Sequence, residues 1–167
     1  MKTIQQIQCI MMVIALTIIF TSCQKEKHEP ENDQPLRLEA NLVMDKNLFT
    51  ASNRERNATD AFEIIEVKRL NDVLEVKVKG GGTAESFQFI WDGSILLSYP
   101  GSIQLLLKYD NSKQDFDPTK ELVLSVNLQK ILGTKHKAGD FYFNVINGSK
   151  LQTVTLDPNG TSTKKNK

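Results

Sequence analysis

Two alternating segments joined by one turn constrain this chain most: Phe62-Glu63-Ile64-Ile65-Glu66-Val67-Lys68-Arg69 and Val73-Leu74-Glu75-Val76-Lys77-Val78-Lys79. Successive side chains of an extended strand point to opposite faces, so a period of two puts apolar groups on one side and charges on the other. Leu74, Val76 and Val78 share one face; Glu75, Lys77 and Lys79 share the other. A helix would scatter that pattern around its whole circumference. With Asn71-Asp72 between them, the two runs predict a β-hairpin.

The same period recurs along the chain. Leu36-Arg37-Leu38-Glu39-Ala40 alternates. Gly80-Gly81-Gly82 ends the hairpin's second strand, after which Phe87, Phe89 and Trp91 fall on one face and Asp92-Gly93-Ser94 makes a turn. Ile103, Leu105, Leu107 and Tyr109 alternate beyond Pro100-Gly101, and Leu122, Leu124, Val126 and Leu128 do so later. Phe141, Phe143 and Val145 make another strand. Asn147-Gly148 is a type I′ hairpin signal with Leu151 to Leu156 returning. The polar stretches Asp45 to Asp60 and Asp110 to Lys120 read as loops, and Gln129 to Leu132 as one helical turn. Seven or eight short strands with regular turn signals predict an all-β fold, an antiparallel immunoglobulin-like sandwich with Trp91 in its core.

The N-terminal residues follow another logic. Lys2 precedes a largely apolar run from Ile10 to Phe20, then the small pair Thr21-Ser22, then Cys23. A basic start, a short apolar core and small residues before a cut site describe a secretory signal peptide. A spanning helix needs about 20 apolar residues, more than this run supplies. Phe20-Thr21-Ser22-Cys23 resembles the lipobox of bacterial lipoproteins, with Phe20 where Leu is commonest. The resemblance implies cleavage before Cys23, lipid on its thiol and acylation, such as palmitate, of the new amino end. The expected organisation is a leader over 1–22, a disordered tether over 23–35, a β-sandwich domain over 36–157 and a disordered tail over 158–167.

The tether is polar and acid-rich, and at random-coil dimensions it spans about 20 Å. Its opening, Gln24-Lys25-Glu26, resembles the surface-export signal of Bacteroidota lipoproteins, which implies an outer-membrane address with display on the outer face; the alternative is a plain solvated spacer with the domain facing the periplasm. The order Leu74-x-Val76-x-Val78, Gly80 to Gly82, then Glu85-x-Phe87-x-Phe89 is similar to a group of small Bacteroidota lipoproteins. Thr83 and Ser86 stand where many of that group carry cysteine and histidine, so the likeness implies a fold and no metal or disulfide.

Chemistry is sparse. Of two cysteines, Cys9 lies in the leader and Cys23 takes the lipid, leaving none for a disulfide or a thiol nucleophile. Without Lys2 the chain carries 20 basic and 20 acidic residues, a balance that argues against nucleic acid. His28 sits in the tether and His136 between two lysines, so neither is placed as a catalytic base, and no paired histidines or cysteines offer a zinc site. Gly80 to Gly82 precede an aromatic strand instead of a helix, unlike a phosphate loop. The run from Asp110 through Asp115 to Asp117 offers oxygen ligands at alternate positions and Glu121 stands where a calcium loop has its closing acid, but Asp115 replaces the required central glycine and Pro118 sits at a ligand position. The expectation is therefore no catalytic residue, no cofactor and no metal. What remains is a lipid-anchored cell-envelope protein whose non-enzymatic β-domain binds or scaffolds a protein or glycan partner. The alternative is a carbohydrate-binding accessory lipoprotein of a glycan-uptake system, with Tyr99 and Tyr142 stacking on sugars.

Overall fold

A computed structural model describes residues 35–56, 61–110, 112 and 115–166. The expected leader 1–22, Cys23, His28 and nearly all of the expected tether 23–35 lie outside the described residues. In chain order the elements are β1 (Leu36–Glu39), β2 (Leu42–Met44), helix α1 (Lys46–Arg54), β3 (Glu63–Leu70), β4 (Val73–Gly81), β5 (Phe87–Trp91), β6 (Gly101–Tyr109), β7 (Asp117–Asn127), the single helical turn α2 (Gln129–Leu132), β8 (Phe141–Asn147), β9 (Gln152–Leu156) and β10 (Ser162–Asn166). Seven strands form one sheet in the order β1-β2-β5-β6-β8-β9-β10, and β3-β4-β7 form a second. The chain is an all-β sandwich, as its alternation predicts.

The core follows directly from the period of two. Phe89, Ile103, Leu105, Phe143 and Val145 of the larger sheet meet Ile64, Leu74, Val76, Val78 and Val126 of the smaller one, all fully buried. Each such side chain contributes about 1.5–3 kcal/mol by leaving water. The hairpin forms at Asn71, which takes the left-handed conformation with φ 54°.

Several expectations are corrected. The stretch from Asp45 is not all loop, because α1 forms there and closes over the outer face of the larger sheet. The Asp45 carboxylate caps it by accepting the Leu48 N–H at 2.8 Å. Nine residues make a marginal helix alone, so its stability comes from packing. Phe49 and Leu48 cover Val43, Ile90, Leu106 and Ile146 in a second apolar cluster. The antiparallel expectation holds for six pairings among the described residues, while β2 with β5 and β6 with β8 run parallel. Parallel neighbours require a long crossover. Here β7, in the other sheet, carries the chain from β6 to β8. Alternation fixes which face a side chain takes and is silent on strand direction.

Four boundaries also move. Gly80 and Gly81 belong to β4, which bulges between Lys79 and Gly81, and β7 already begins at Asp117. Asn147 is a buried strand residue, and four residues from Gly148 to Leu151 connect β8 to β9 in place of a two-residue turn. Its amide is held inside by hydrogen bonds, which takes it out of the turn. The segment 158–167, expected to fray, contains β10, which pairs with β9 through all five of its residues. Its side chains are all exposed, so backbone pairing organises it without any apolar signal in the sequence.

Candidate functional site

The registers define two ends of the larger sheet. Leu36, Met44, Trp91, Gly101 and Phe141 lie at one, called upper here; Asn41, Phe87, Tyr109 and Asn147 lie toward the lower.

At the lower end the glycine triplet seats a carboxylate. Asp115 accepts hydrogen bonds from the Thr83 N–H and the Ser86 hydroxyl, both at 3.0 Å, and from the Tyr109 hydroxyl at 2.5 Å. A methyl group on Gly82 would fall within 2 Å of the Asp115 carboxylate, so only glycine lets the loop settle. Gly81, at φ 122°, leaves room for the Phe87 ring. That ring packs edge-on to Phe62 and tilted against Tyr109, which in turn meets Phe116. The Tyr109 hydrogen bond, helped by Ser86 and Thr83, holds the Asp115 carboxyl below the usual aspartate range. A serine nucleophile needs a base matched to neutral pH, and a carboxylate so stabilised is a poor one. Ser86, Tyr109 and Asp115 work as a latch that fastens the loop before β7.

Beside the latch lies a buried amide network. The Gln152 side chain accepts the Ile64 N–H at 2.9 Å and donates to the Ile64 carbonyl at 3.1 Å. In doing so it imitates a peptide group and joins β9 to β3 of the other sheet. Asn147 donates to the Phe62 carbonyl and to Gln152, and accepts from Ser149. Arg56 donates to the carbonyls of Asn147 and Gln152 at 3.0 and 2.8 Å. An open groove of about 690 Å³ runs nearby, with Arg37, Leu48, Glu85, Gln88, Lys108 and Asp110 in its walls. Its charges are of both signs, and among its described lining residues there is neither histidine nor cysteine.

The upper end is different in kind. Trp91 is buried in the core, as its register predicts, and its indole N–H donates to the Ser94 carbonyl at 3.0 Å. Tyr99 is 95% exposed and Tyr142 37%. Tyr142 pairs in register with Ser102, and Ser102 bridges to Leu96, so Leu96, Ser102 and Tyr142 form one row on the outer face. Asn144 continues the polar part of that face, donating to Ser102 at 3.0 Å and accepting from Thr155 at 2.7 Å. Both tyrosines therefore reach this end. Leu96 and Leu97 beside them are residues that alternation alone did not single out. The signal available was their position in an uncharged stretch running into Pro100-Gly101.

The other sequence candidates are dispersed. Asp110 turns onto Ser112, Asp117 onto Thr119, and Glu121 pairs with Lys77 at 2.6 Å on the outer face of the smaller sheet. Among the described residues no group of three or more His, Cys, Asp or Glu is placed to hold a metal ion. His136 is exposed and lies edge-on to Phe141, 5.7 Å between ring centres. Among the described residues no helix is long and apolar enough to cross a membrane. Compared with protein-family models, with curated proteins and with solved structures, the chain matches none.

Proposed function

We propose that this chain is a small Bacteroidota-type lipoprotein, anchored in the outer membrane through lipid on Cys23, with a non-catalytic β-domain that binds or scaffolds at the cell envelope. The observation that carries the proposal is the order of a basic start, an apolar run to Phe20, Thr21-Ser22 and Cys23. A self-contained β-sandwich beginning at Leu36 supports it, because a domain with its own core tolerates attachment by one end. The Lys25-Glu26 opening of the tether favours the outer face. A second reading, sugar capture by Tyr99 and Tyr142, draws on their exposure. Leu96 and Leu97 beside them weigh toward an apolar partner.

The test is uptake of labelled palmitate by cells expressing the full chain. Label should appear on the wild type and vanish in Cys23→Ala, with the β-type circular dichroism spectrum retained. A wild-type chain that takes up no label sinks the anchor.

A further inference from the structure

The loop from Asp92 to Gly101 is a built projection. Reciprocal backbone hydrogen bonds of 2.9 Å between Leu96 and Ser102 close its stem. The Ser94 N–H donates to the Asp92 carboxylate at 2.9 Å, and the Ser98 hydroxyl donates to the Pro100 carbonyl at 2.7 Å. Ile95 packs inward against the main core. On that held backbone Leu96 and Leu97 stand 64% and 71% exposed, next to Tyr99. No charged residue occurs between Asp92 and Lys108. A connection that only met water has no use for three large apolar groups at its tip, and clustered exposed apolar groups mark contact surfaces.

Three placements select the bilayer as what this loop meets. First, β1 begins at the upper end: Leu36 pairs with Met44, and Met44 with Trp91. The chain arriving from Cys23 thus joins the domain at the end that carries the loop. Twelve residues, 24–35, reach at most about 40 Å when fully extended, so a bilayer holding Cys23 lies within reach of this end of the sheet. Second, the connection into β8 adds exposed Lys135 and Lys137 at the same end. Third, most of the acids there are half-buried and already engaged: Asp45, Asp92 and Asp157 accept from backbone N–H groups of Leu48, Ser94 and Thr161, while Asp140 stands exposed. Leucines suit the acyl region, a tyrosine the headgroup level, and lysines the anionic headgroups.

We infer that the 92–101 loop docks the domain on the lipid surface, with Leu96 and Leu97 inserted and Tyr99 at headgroup level. The inference rests on the anchored reading above for the presence of the bilayer. The test reconstitutes the full, lipid-modified chain carrying Tyr99→Trp in vesicles of phosphatidylethanolamine and phosphatidylglycerol. Leu151→Trp, exposed at the opposite end of the sheet, is the control, and buried Trp91 gives a constant background. Emission of Tyr99→Trp should move to shorter wavelength, lose most of its intensity to brominated acyl chains and become several-fold less accessible to aqueous iodide. Leu151→Trp should stay open to iodide. Equal iodide access for Tyr99→Trp with and without vesicles overturns the inference. So does a spectrum that responds only to added soluble oligosaccharide, which would make the loop a sugar platform. Palmitate on Cys23 is read separately: label without bromine quenching sinks the docking and keeps the anchor, and quenching without label does the reverse.

Discussion

At the lower end of the larger sheet, Asn147, Ser149 and Gln152 take polar atoms inside and give each a partner. At the upper end, Leu96, Leu97 and Tyr99 put apolar surface outside. Burying an amide without a hydrogen bond costs about 1–3 kcal/mol, so the lower end is constrained by folding: change one member and its partners are stranded. At the upper end nothing comparable fixes the Leu96, Leu97 and Tyr99 side chains. Exposed leucines gain little in the folded state, and their sequence is free to change without loss of the fold. The contrast separates residues the sandwich needs from residues it merely displays, and the second kind is where a binding function belongs.

The largest effect should come from crowding the lower end. Gly81→Ala adds a methyl 2.5 Å from the Phe87 ring at φ 122°, combining backbone strain with overpacking. A loss of about 3 kcal/mol or more is expected, read from the shift of the urea unfolding midpoint. A loss below about 1 kcal/mol would mean that the aromatic group around Phe87 gives way easily and that the lower end is not the rigid half.

How much of this was legible in the sequence depends on what each residue had to signal. Strand faces were readable, since Leu74, Val76 and Val78 sit inside and Trp91 is core as alternation predicts. The covering helix was hidden behind polar composition, yet it left a trace in the strands beneath. Leu105-Leu106-Leu107 and Phe89-Ile90-Trp91 are runs buried on both faces, which a half-exposed strand would not tolerate. Those runs called for a cover, and Asp45 with Leu48 and Phe49 supplied it. The Asp115 latch was not legible, because its partners Thr83, Ser86 and Tyr109 come from separate segments whose spacing carries no period. Tyr99 and Tyr142 were legible as exposed; what they serve depends on neighbours that only the tertiary arrangement assembles.

A smaller effect, present at neutral pH and fading in acid, should come from Asp115. Its carboxyl is held below the ordinary aspartate value chiefly by the Tyr109 hydroxyl, so the folded state favours the ionised form. The resulting stability is complete above the unfolded value, about pH 4, and is lost as pH falls through the lowered folded value. Asp115→Asn lacks that proton linkage. The stability difference between wild type and variant, from urea titrations at stepped pH, should therefore shrink below about pH 4. Asp117, whose carboxyl is also lowered, by the Thr119 hydroxyl, is present in both proteins and cancels. A difference that stays constant into acid would show that the latch does not depend on charge.

The smallest effect should come from the upper end. Leu96→Ser with Leu97→Ser removes two large apolar groups, but both are already in water, so little transfer free energy is forfeited. The stem is tied by backbone hydrogen bonds of Leu96 and Ser102, which serine retains, and Ile95 still faces the core. Stability should change by no more than about 0.5 kcal/mol, measured in the same urea titration. Leu106→Ser sets the scale: it lies one strand position from a core leucine, fully buried beneath α1, and should cost about 2–5 kcal/mol. If the loop variant instead lost more than about 1 kcal/mol, Leu96 and Leu97 would be part of what holds the sandwich together. The upper end would then resemble the lower one, and its apolar surface would no longer mark a contact.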